Sequence, residues 1–288
     1  MRKITINLAA VAAFCIVVAS PALVSSSCAT PKTEQEDTTI IREDSGITAL
    51  KYSSPEVPAS IEFCGKTIDL SRFDRHERMD RELLAFTYMH STSLQMLKKA
   101  NRYFPIVEPI LKENGIPDDF KYLMVIESNM NPTARSSAGA AGLWQFMQGT
   151  GRDYGLEVNN NVDERYHIEK ATRAACRYLK DAYAKYKDWV AVAASYNAGQ
   201  ARIASQLAKQ DVDDSLDLQL VEETARYVYR ILAAKQLFNA PTTFGFRLRA
   251  SDLYPPIPYT EITVTKGIAD LARFARSKGC LLYTSDAA

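Results

Sequence analysis

FKYLMVIES, residues 120–128, is the stretch that decides the fold we expect, because its spacing is that of an amphipathic helix. Phe120, Leu123 and Glu127 recur at steps of three and four residues, which place side chains on one helical face. Asn129 begins a polar segment that ends the helix, so Glu127 lies in the last turn. The sequence therefore predicts a carboxyl group on the buried face of a helix, near its C-terminal end.

The predicted position of Glu127 makes its carboxyl group unusual. A carboxylate is costly to bury unless it is paired, hydrogen-bonded or protonated, and the negative end of the helix dipole disfavours it further. Both effects raise the pKa and keep the proton on, as a general acid working near neutral pH requires. The stretch alone leaves one alternative open, a structural glutamate that bonds to neighbouring backbone or to an arginine.

Helical periodicity extends over most of the chain, from about residue 80 to residue 240. It predicts a first helix from near Asp80, the glutamate helix opened by Pro117, and further helices over 143–151, 168–186, 189–197 and 221–238. Asp188 can cap the helix over 189–197, and Gly199 can close it. Partial alternation within 61–70 predicts one short strand. The expected fold class is therefore all-α.

The N-terminus has the features of a secretory signal, which we place at residues 1–27: a positive start, an apolar run and small residues. Two cleavage sites compete. Residues 19–22 allow ordinary cleavage, whereas residues 25–28 resemble a bacterial lipobox, although Leu23 lies further from the cysteine than usual. We favour the lipobox, in which a lipidated Cys28 anchors the protein to a membrane. The expected location is the periplasm, at the outer membrane.

The remaining chain divides into four parts by composition. We predict a flexible tether at 28–60, a catalytic domain at 61–245, a linker with an incomplete lysin-motif-like module at 246–279, and an artefactual end at 280–288. The incomplete module begins as a strand at 261–265 and a helix at 267–279. The last nine residues resemble a translated sequencing adapter, so Cys280 carries no functional weight.

Charge, histidines and cysteines exclude several classes of function. The 288 residues have a formal net charge of +1, which gives no support to nucleic-acid binding. The three histidines are scattered without the spacing of metal ligands, so we expect no metal. An exported location permits a disulfide between Cys64 and Cys176, but Cys176 lies in a helical pattern, which favours a buried free thiol.

Four segments together form a candidate site. They are Glu127-Ser128, SSAGAAGLWQFM at 136–147, ASYNAG at 194–199 and ETARYV at 223–228. Each is weak alone, since an alanine-glycine loop is often only a turn and Tyr-Asn-Ala-Gly is often only a helix C-terminus. Their order and spacing together are specific.

The four segments together resemble the lytic murein transglycosylases of the soluble-lytic-transglycosylase-like, goose-lysozyme-related type, especially their membrane-bound D branch. The resemblance runs from about Phe104 to Phe238 and departs from the usual pattern at Gln148, at Tyr166-His167 and at Ser195, none of which touches the glutamate. It implies a lysozyme-like helical domain that cleaves peptidoglycan glycan strands as a monomer, without a cofactor.

The resemblance also implies a role for each candidate residue. Glu127 is the sole catalytic acid and then base, and the product is a 1,6-anhydro-muramic acid. Tyr227 approaches Glu127 through its hydroxyl and positions it. The expected substrate-binding residues are Ser136 and Gln145, which hold the sugar and its N-acetyl group, Met147 on the groove floor, and Tyr196 and Asn197 beside the glutamate.

Three alternatives remain open at this point. A goose-type lysozyme shares the fold and the acid but lets water attack. A catalytically inactive peptidoglycan-binding lipoprotein would keep the groove without the chemistry. A helical structural lipoprotein would leave the polar loop unexplained. Ordinary glycosidases use two carboxylates, and no second acidic residue stands in a motif comparable to that of Glu127.

Overall fold

Helices make up most of this protein in a computed structural model that describes residues 54–257 and 267–279, so the mainly α expectation is confirmed. The helices are α1 Phe73–Tyr88, α2 His90–Glu113, α3 Phe120–Ser128, α4 Gln148–Asp153, α5 Ile168–Tyr186, α6 Trp189–Ala198, α7 Gln200–Lys209, α8 Glu222–Asn239 and α9 Leu271–Ser277. The predictions for the signal, the lipidated Cys28, the strand at 261–265 and the artefactual end fall outside the described residues.

The predicted strand within 61–70 is a hairpin of two strands, β1 Ser60–Phe63 and β2 Lys66–Asp69, paired antiparallel. Cys64 and Gly65 connect them, with φ angles of 52° and 82°. Two consecutive residues with positive φ are typical of the tight hairpin turns whose twist matches that of the strands. The alternation continues across so short a turn, which is why the sequence suggested a single strand.

Two of the helix starts predicted from the sequence were wrong. The first helix begins at Phe73 rather than near Asp80, because its first two turns are mostly charged and hide the apolar face, although Met79 is fully buried. The helix expected over 143–151 begins only at Gln148, and the residues before it form turns. Helix α7 was not predicted at all, because Ile203 is its only fully buried residue.

Helix α3 packs against α2 and α8. Leu123, Met124 and Val125 are fully buried, and each contributes on the order of 1.5–3 kcal/mol to folding. The helix ends where Asn129 enters the left-handed region at φ 49°, a conformation that asparagine tolerates better than most residues. Glu127 therefore lies in the last turn, as predicted.

Helices α6 and α8 form the other walls of the candidate site. The predicted caps of α6 are present: the Asp188 carboxylate accepts a hydrogen bond from the Val190 N–H at 2.8 Å, and Gly199 ends the helix with φ 86°. Helix α8 packs against α1, α3 and α6. This arrangement brings Tyr227 of α8 to the end of α3.

Cys64 and Cys176 are both free thiols, and Cys176 is fully buried, as its helical pattern suggested. Burial raises the pKa of Cys176 to about 11, so its thiol stays protonated. Across residues 54–257 and 267–279, no group of acidic, histidine and cysteine side chains has a metal-binding arrangement. The helices of the same ranges lack the combination of length and apolar character needed to cross a membrane.

Candidate active site

Glu127 and Tyr227 meet at the centre of the candidate site. The Tyr227 hydroxyl donates a short hydrogen bond to Oε1 of Glu127. Tyr227 is 3% exposed, whereas Glu127 is half-buried rather than fully enclosed as its helix face suggested. The half-exposure arises because Glu127 lies where α3 ends, so the carboxyl group remains open to an incoming ligand.

Burial raises the pKa of Glu127 to about 7. The Tyr227 hydrogen bond and the positive charge of Arg230 act against this rise, while the negative charge of Glu223 adds to it. Desolvation of the charged form is thus the dominant cause, as predicted from the sequence. At neutral pH a large fraction of the protein carries a protonated Glu127.

The hydrogen-bond partner of Glu127 distinguishes this site from a structural glutamate. A structural role would pair the carboxylate with an arginine or with backbone N–H groups, which lower its pKa. Here the partner among the described residues is a single tyrosine hydroxyl, and the pKa remains high. The geometry therefore disfavours the alternative that the sequence left open, a glutamate with only a structural role.

Arg165 holds the loop beside Glu127 in shape. Its guanidinium donates to the carbonyl oxygens of Gly139 at 2.8 Å and of Phe146 at 3.0 Å. The same group forms a two-pronged ion pair with Asp163, at 2.9 and 2.7 Å, and is 5% exposed. The Asp163 carboxylate therefore serves the structure of the loop.

Gly142 stands where the loop passes Arg165 most closely. A Cβ atom at this position would lie 1.9 Å from the carbonyl oxygen of Arg165, and the backbone has φ 78°. Only glycine suits both the close approach and the left-handed backbone. The alanine-glycine segment is therefore more than a flexible turn, because its glycine lets the loop dock on Arg165.

Ser136 and Gln145 make hydrogen bonds within this loop. The Ser136 hydroxyl accepts from the Ala140 N–H at 3.0 Å, and the Gln145 side-chain amide donates to the carbonyl oxygens of Ala134 at 3.1 Å and Gly142 at 2.8 Å. Ser136 is exposed and Gln145 half-buried. Their expected contacts with a sugar thus involve side chains that already have loop partners.

Tyr196, Asn197 and Met147, the remaining candidate residues, differ in exposure. The Tyr196 hydroxyl donates to the carbonyl oxygen of Trp144 at 2.7 Å, and burial holds its pKa well above the ordinary value. Asn197 is exposed, and its side-chain oxygen accepts from the Thr224 hydroxyl at 2.9 Å. Met147 is 45% exposed. Tyr196 therefore braces the loop, while Asn197 and Met147 remain open to a ligand.

A cluster of charged side chains between α1 and α8 was not predicted from the sequence. Glu82 of α1 is 1% exposed and accepts a hydrogen bond from Arg226 Nε at 2.7 Å; Arg230 Nε lies 3.6 Å from its other oxygen. Arg230 also pairs with Glu223 at 3.6 Å. The sequence does contain a hint of this cluster. Glu82 adjoins Leu83 on a buried helical face, and Arg226 and Arg230 are spaced by four residues.

Comparison with known proteins shows which proteins this chain is similar to. Residues 105–217 match the family model described as "Transglycosylase SLT domain". The chain is 30% identical over 181 residues to membrane-bound lytic murein transglycosylase D of Escherichia coli K12, which covers 61% of this chain and 39% of that protein.

Two further proteins are similar to parts of this chain. Membrane-bound lytic murein transglycosylase C of Haemophilus ducreyi is 29% identical over 150 residues, covering 47% of this chain and 40% of that protein. The X-ray structure of an inactive mutant of the lytic transglycosylase Slt from Pseudomonas aeruginosa aligns with a TM-score of 0.41 and 21% identity, over 49% of this chain and 24% of that one. The chain spans about two fifths of the length of the two curated relatives. The resemblance to lytic murein transglycosylases that the motifs of this chain predict is confirmed by these matches.

Proposed function

We propose that this protein is a lytic transglycosylase that cleaves the β-1,4 bond between N-acetylmuramic acid and N-acetylglucosamine in peptidoglycan. Glu127 acts first as general acid and then as general base, and the product carries a 1,6-anhydro-muramic acid. The observation that carries the proposal is the Glu127 carboxyl group itself. It is partly exposed, bonded to the Tyr227 hydroxyl, and has a pKa of about 7.

The first chemical step needs a protonated Glu127. Its proton moves to the glycosidic oxygen as the bond to the anomeric carbon breaks, which leaves a cationic sugar and a carboxylate. A pKa near the working pH favours this transfer, because enough of the acid form is present and it gives up its proton readily. The Tyr227 hydroxyl, which donates to Oε1, stabilises the carboxylate that forms.

The second step returns the proton to Glu127. The carboxylate takes the proton from the C6 hydroxyl of the same muramic acid, and the C6 oxygen bonds to the anomeric carbon. No water is consumed, and Glu127 ends protonated, ready for the next cycle. An attack within one sugar ring gains from proximity, provided that the ring is held in the reactive shape.

The remaining candidate residues fit the task of holding that ring. Asn197 and Met147 are open to the groove, and the loop of Ser136 and Gln145 is fixed on Arg165. We propose that Gln145 presents its side-chain oxygen to the sugar, because its amide nitrogen is already bonded to the loop. Tyr196 shapes the groove by bracing Trp144.

Hydrolysis is the second candidate reaction, and one observation favours it. Glu223 lies near enough to Glu127 to raise its pKa, and its side chain is largely exposed. A second carboxylate able to activate water is what an inverting glycosidase uses. Glu223 is nevertheless paired with Arg230, which favours a structural role.

Product analysis separates the two reactions. Purified peptidoglycan is digested with the protein, and the soluble fragments are analysed by mass spectrometry. Fragments that end in 1,6-anhydro-muramic acid, lighter by one water than hydrolysed ends, support the transglycosylase. Reducing ends identify a lysozyme that uses the same glutamate. A protein that binds peptidoglycan but releases no fragments would leave only the inactive binding lipoprotein.

We also propose that the protein is exported and anchored to a membrane by lipid on Cys28. The support is the leader of residues 1–27 and the lipobox-like segment before Cys28. Two relatives carry "membrane-bound" in their names. Metabolic labelling with a clickable fatty acid should mark the wild-type protein and leave Cys28→Ala unmarked. A wild-type protein that takes up no label, with a mature terminus within 19–22, would establish ordinary cleavage instead.

A further inference from the structure

A cleft of about 130 Å³ adjoins the candidate active site on the side of α7. Arg202 and Gln206 form one wall, one helical turn apart on the same face of α7. Leu220 and Val221, just before α8, form the other. The volume suits one amino-acid side chain.

The cleft is continuous with the residues around Glu127. Thr224 lines it and donates to Asn197 at 2.9 Å. Thr224 also precedes Tyr227 by three residues on α8, which places the two side chains on neighbouring positions of one helical face. Through Thr224, the cleft therefore adjoins the part of α8 that carries Tyr227, the hydrogen-bond partner of Glu127.

The second wall is fixed in place by Gln210. Its side-chain amide donates to the Gln219 carbonyl oxygen at 3.1 Å, and its side-chain oxygen accepts from the Gln219 N–H at 2.8 Å. The same amide bonds to the Gln206 side chain at 2.8 Å. The segment before α8 is thus tied to α7 by side chains, so the cleft is a formed feature of the surface.

The two walls differ in chemistry. Val221 is 54% exposed, an unusual position for a branched apolar side chain. Arg202 is exposed and has no hydrogen-bond or ion-pair partner among the residues that the structure describes. The nearby acids at the start of α8 are already engaged, since Glu222 pairs with Arg81 at 2.7 Å and Glu223 with Arg230. The cleft therefore offers one apolar surface and one unpaired cation.

We propose that this cleft binds the stem peptide of the glycan strand, with Arg202 pairing a peptide carboxylate and Val221 contacting an aliphatic side chain. This proposal rests on the function proposed above, because the peptide is attached to the muramic acid of that substrate. Stem peptides combine small aliphatic residues with free carboxylates, which is the complement of the two walls. Arginine suits a carboxylate because its guanidinium donates two parallel hydrogen bonds.

The test compares two substrates that differ only in the peptide. One is glycan strands with stem peptides, and the other is the same strands after an amidase has removed them. The value of kcat/KM is measured on both, and the ratio of the two values is compared among wild type, Arg202→Gln, Arg202→Glu and Lys209→Gln. Lys209→Gln removes the same charge from the same helix at a position that does not line the cleft.

We expect the ratio to fall about fivefold in Arg202→Gln, the effect of losing one partly exposed ion pair. It should fall further in Arg202→Glu, which repels the carboxylate, and stay at the wild-type value in Lys209→Gln. An equal ratio in all four proteins, with both substrates cleaved, would overturn the proposal that the cleft binds the stem peptide. It would leave the proposed transglycosylase activity untouched. A wild-type protein that cleaves neither substrate would overturn both proposals.

Discussion

The hydroxyl of Tyr227 donates a hydrogen bond to the Glu127 carboxyl group where α8 crosses the end of α3. This contact links residues 100 positions apart in the sequence. It opposes the rise in pKa that burial causes, so Glu127 is poised near 7 rather than held permanently protonated. The proposed acid and base roles both depend on this balance.

Tyr227→Phe tests the balance through the pH dependence of the reaction. The general acid must be protonated, so kcat/KM falls as the pH rises through the pKa of Glu127. Removing a hydrogen bond that lowers this pKa should move the alkaline limb to higher pH. The rate at the optimum should fall roughly tenfold to a hundredfold, as expected for a lost hydrogen bond to a charged group. A slower enzyme with an unshifted limb would show that Tyr227 does not touch the titrating group.

A comparison of Arg230→Gln with Arg226→Gln separates the effect of charge on the pKa of Glu127 from the effect of the ion pairs on fold stability. Both remove an arginine that pairs with the buried Glu82, so both should destabilise the fold by about 3–5 kcal/mol. Only Arg230 lowers the pKa of Glu127 by its charge. We therefore expect the alkaline limb of the pH–rate profile to move upward in Arg230→Gln alone. Equal shifts in the two variants would mean that the cluster acts on Glu127 through structure instead.

Glu127→Gln should make the protein more stable above neutral pH. The unfolded carboxyl group ionises near pH 4.5, whereas the folded one ionises near 7. Between these values the unfolded state releases its proton first, so the folded state loses stability as the pH rises. The neutral glutamine avoids this cost. Urea unfolding should show a gain of about 1–3 kcal/mol at pH 8 and almost none at pH 4. A gain of the same size at both pH values would mean that ionisation is not its cause.

Gly142→Ala tests the docking of the loop on Arg165. The added Cβ would lie 1.9 Å from a backbone oxygen, in a left-handed conformation, so we expect a loss of about 2–4 kcal/mol in the free energy of unfolding and a strong loss of activity. Gly149→Ala is the matched control, because its Cβ meets nothing within 4 Å and its φ is not positive. That variant lies in α4 and should be unchanged or up to about 1 kcal/mol more stable. Similar losses in both variants would contradict this account of the loop.

The features of the site that could be predicted from the residues alone are those that depend on the spacing of neighbouring residues in the sequence. The place of Glu127 in the last turn of α3 followed from three- and four-residue steps, and the caps of α6 followed from Asp188 and Gly199. The approach of Tyr227 to Glu127 came from family resemblance, because no local pattern relates two helices so far apart in sequence.

The parts that were missed depend on long-range or steric effects. The turns before α4 exist because Gly142 packs on the Arg165 backbone, 23 residues later in the chain. Residues 143–147 are mostly apolar, which favoured a helix. Helix α7 was missed because it buries little apolar surface. Glu82 was missed because its partners lie on α8, and the four-residue spacing of the two arginines does not by itself show that they face a buried acid on α1.

The measurement that tests the central claim most directly is the turnover of peptidoglycan by Glu127→Gln, with Glu223→Gln as the matched control. Folding of both variants is checked by circular dichroism and thermal unfolding. We predict that Glu127→Gln loses at least roughly 10²–10⁴ in kcat while remaining folded, as expected for a lost general acid and base, and that Glu223→Gln keeps most of its activity. A folded Glu127→Gln protein with wild-type turnover, or a Glu223→Gln protein that is equally inactive, would contradict a mechanism with one catalytic carboxyl group.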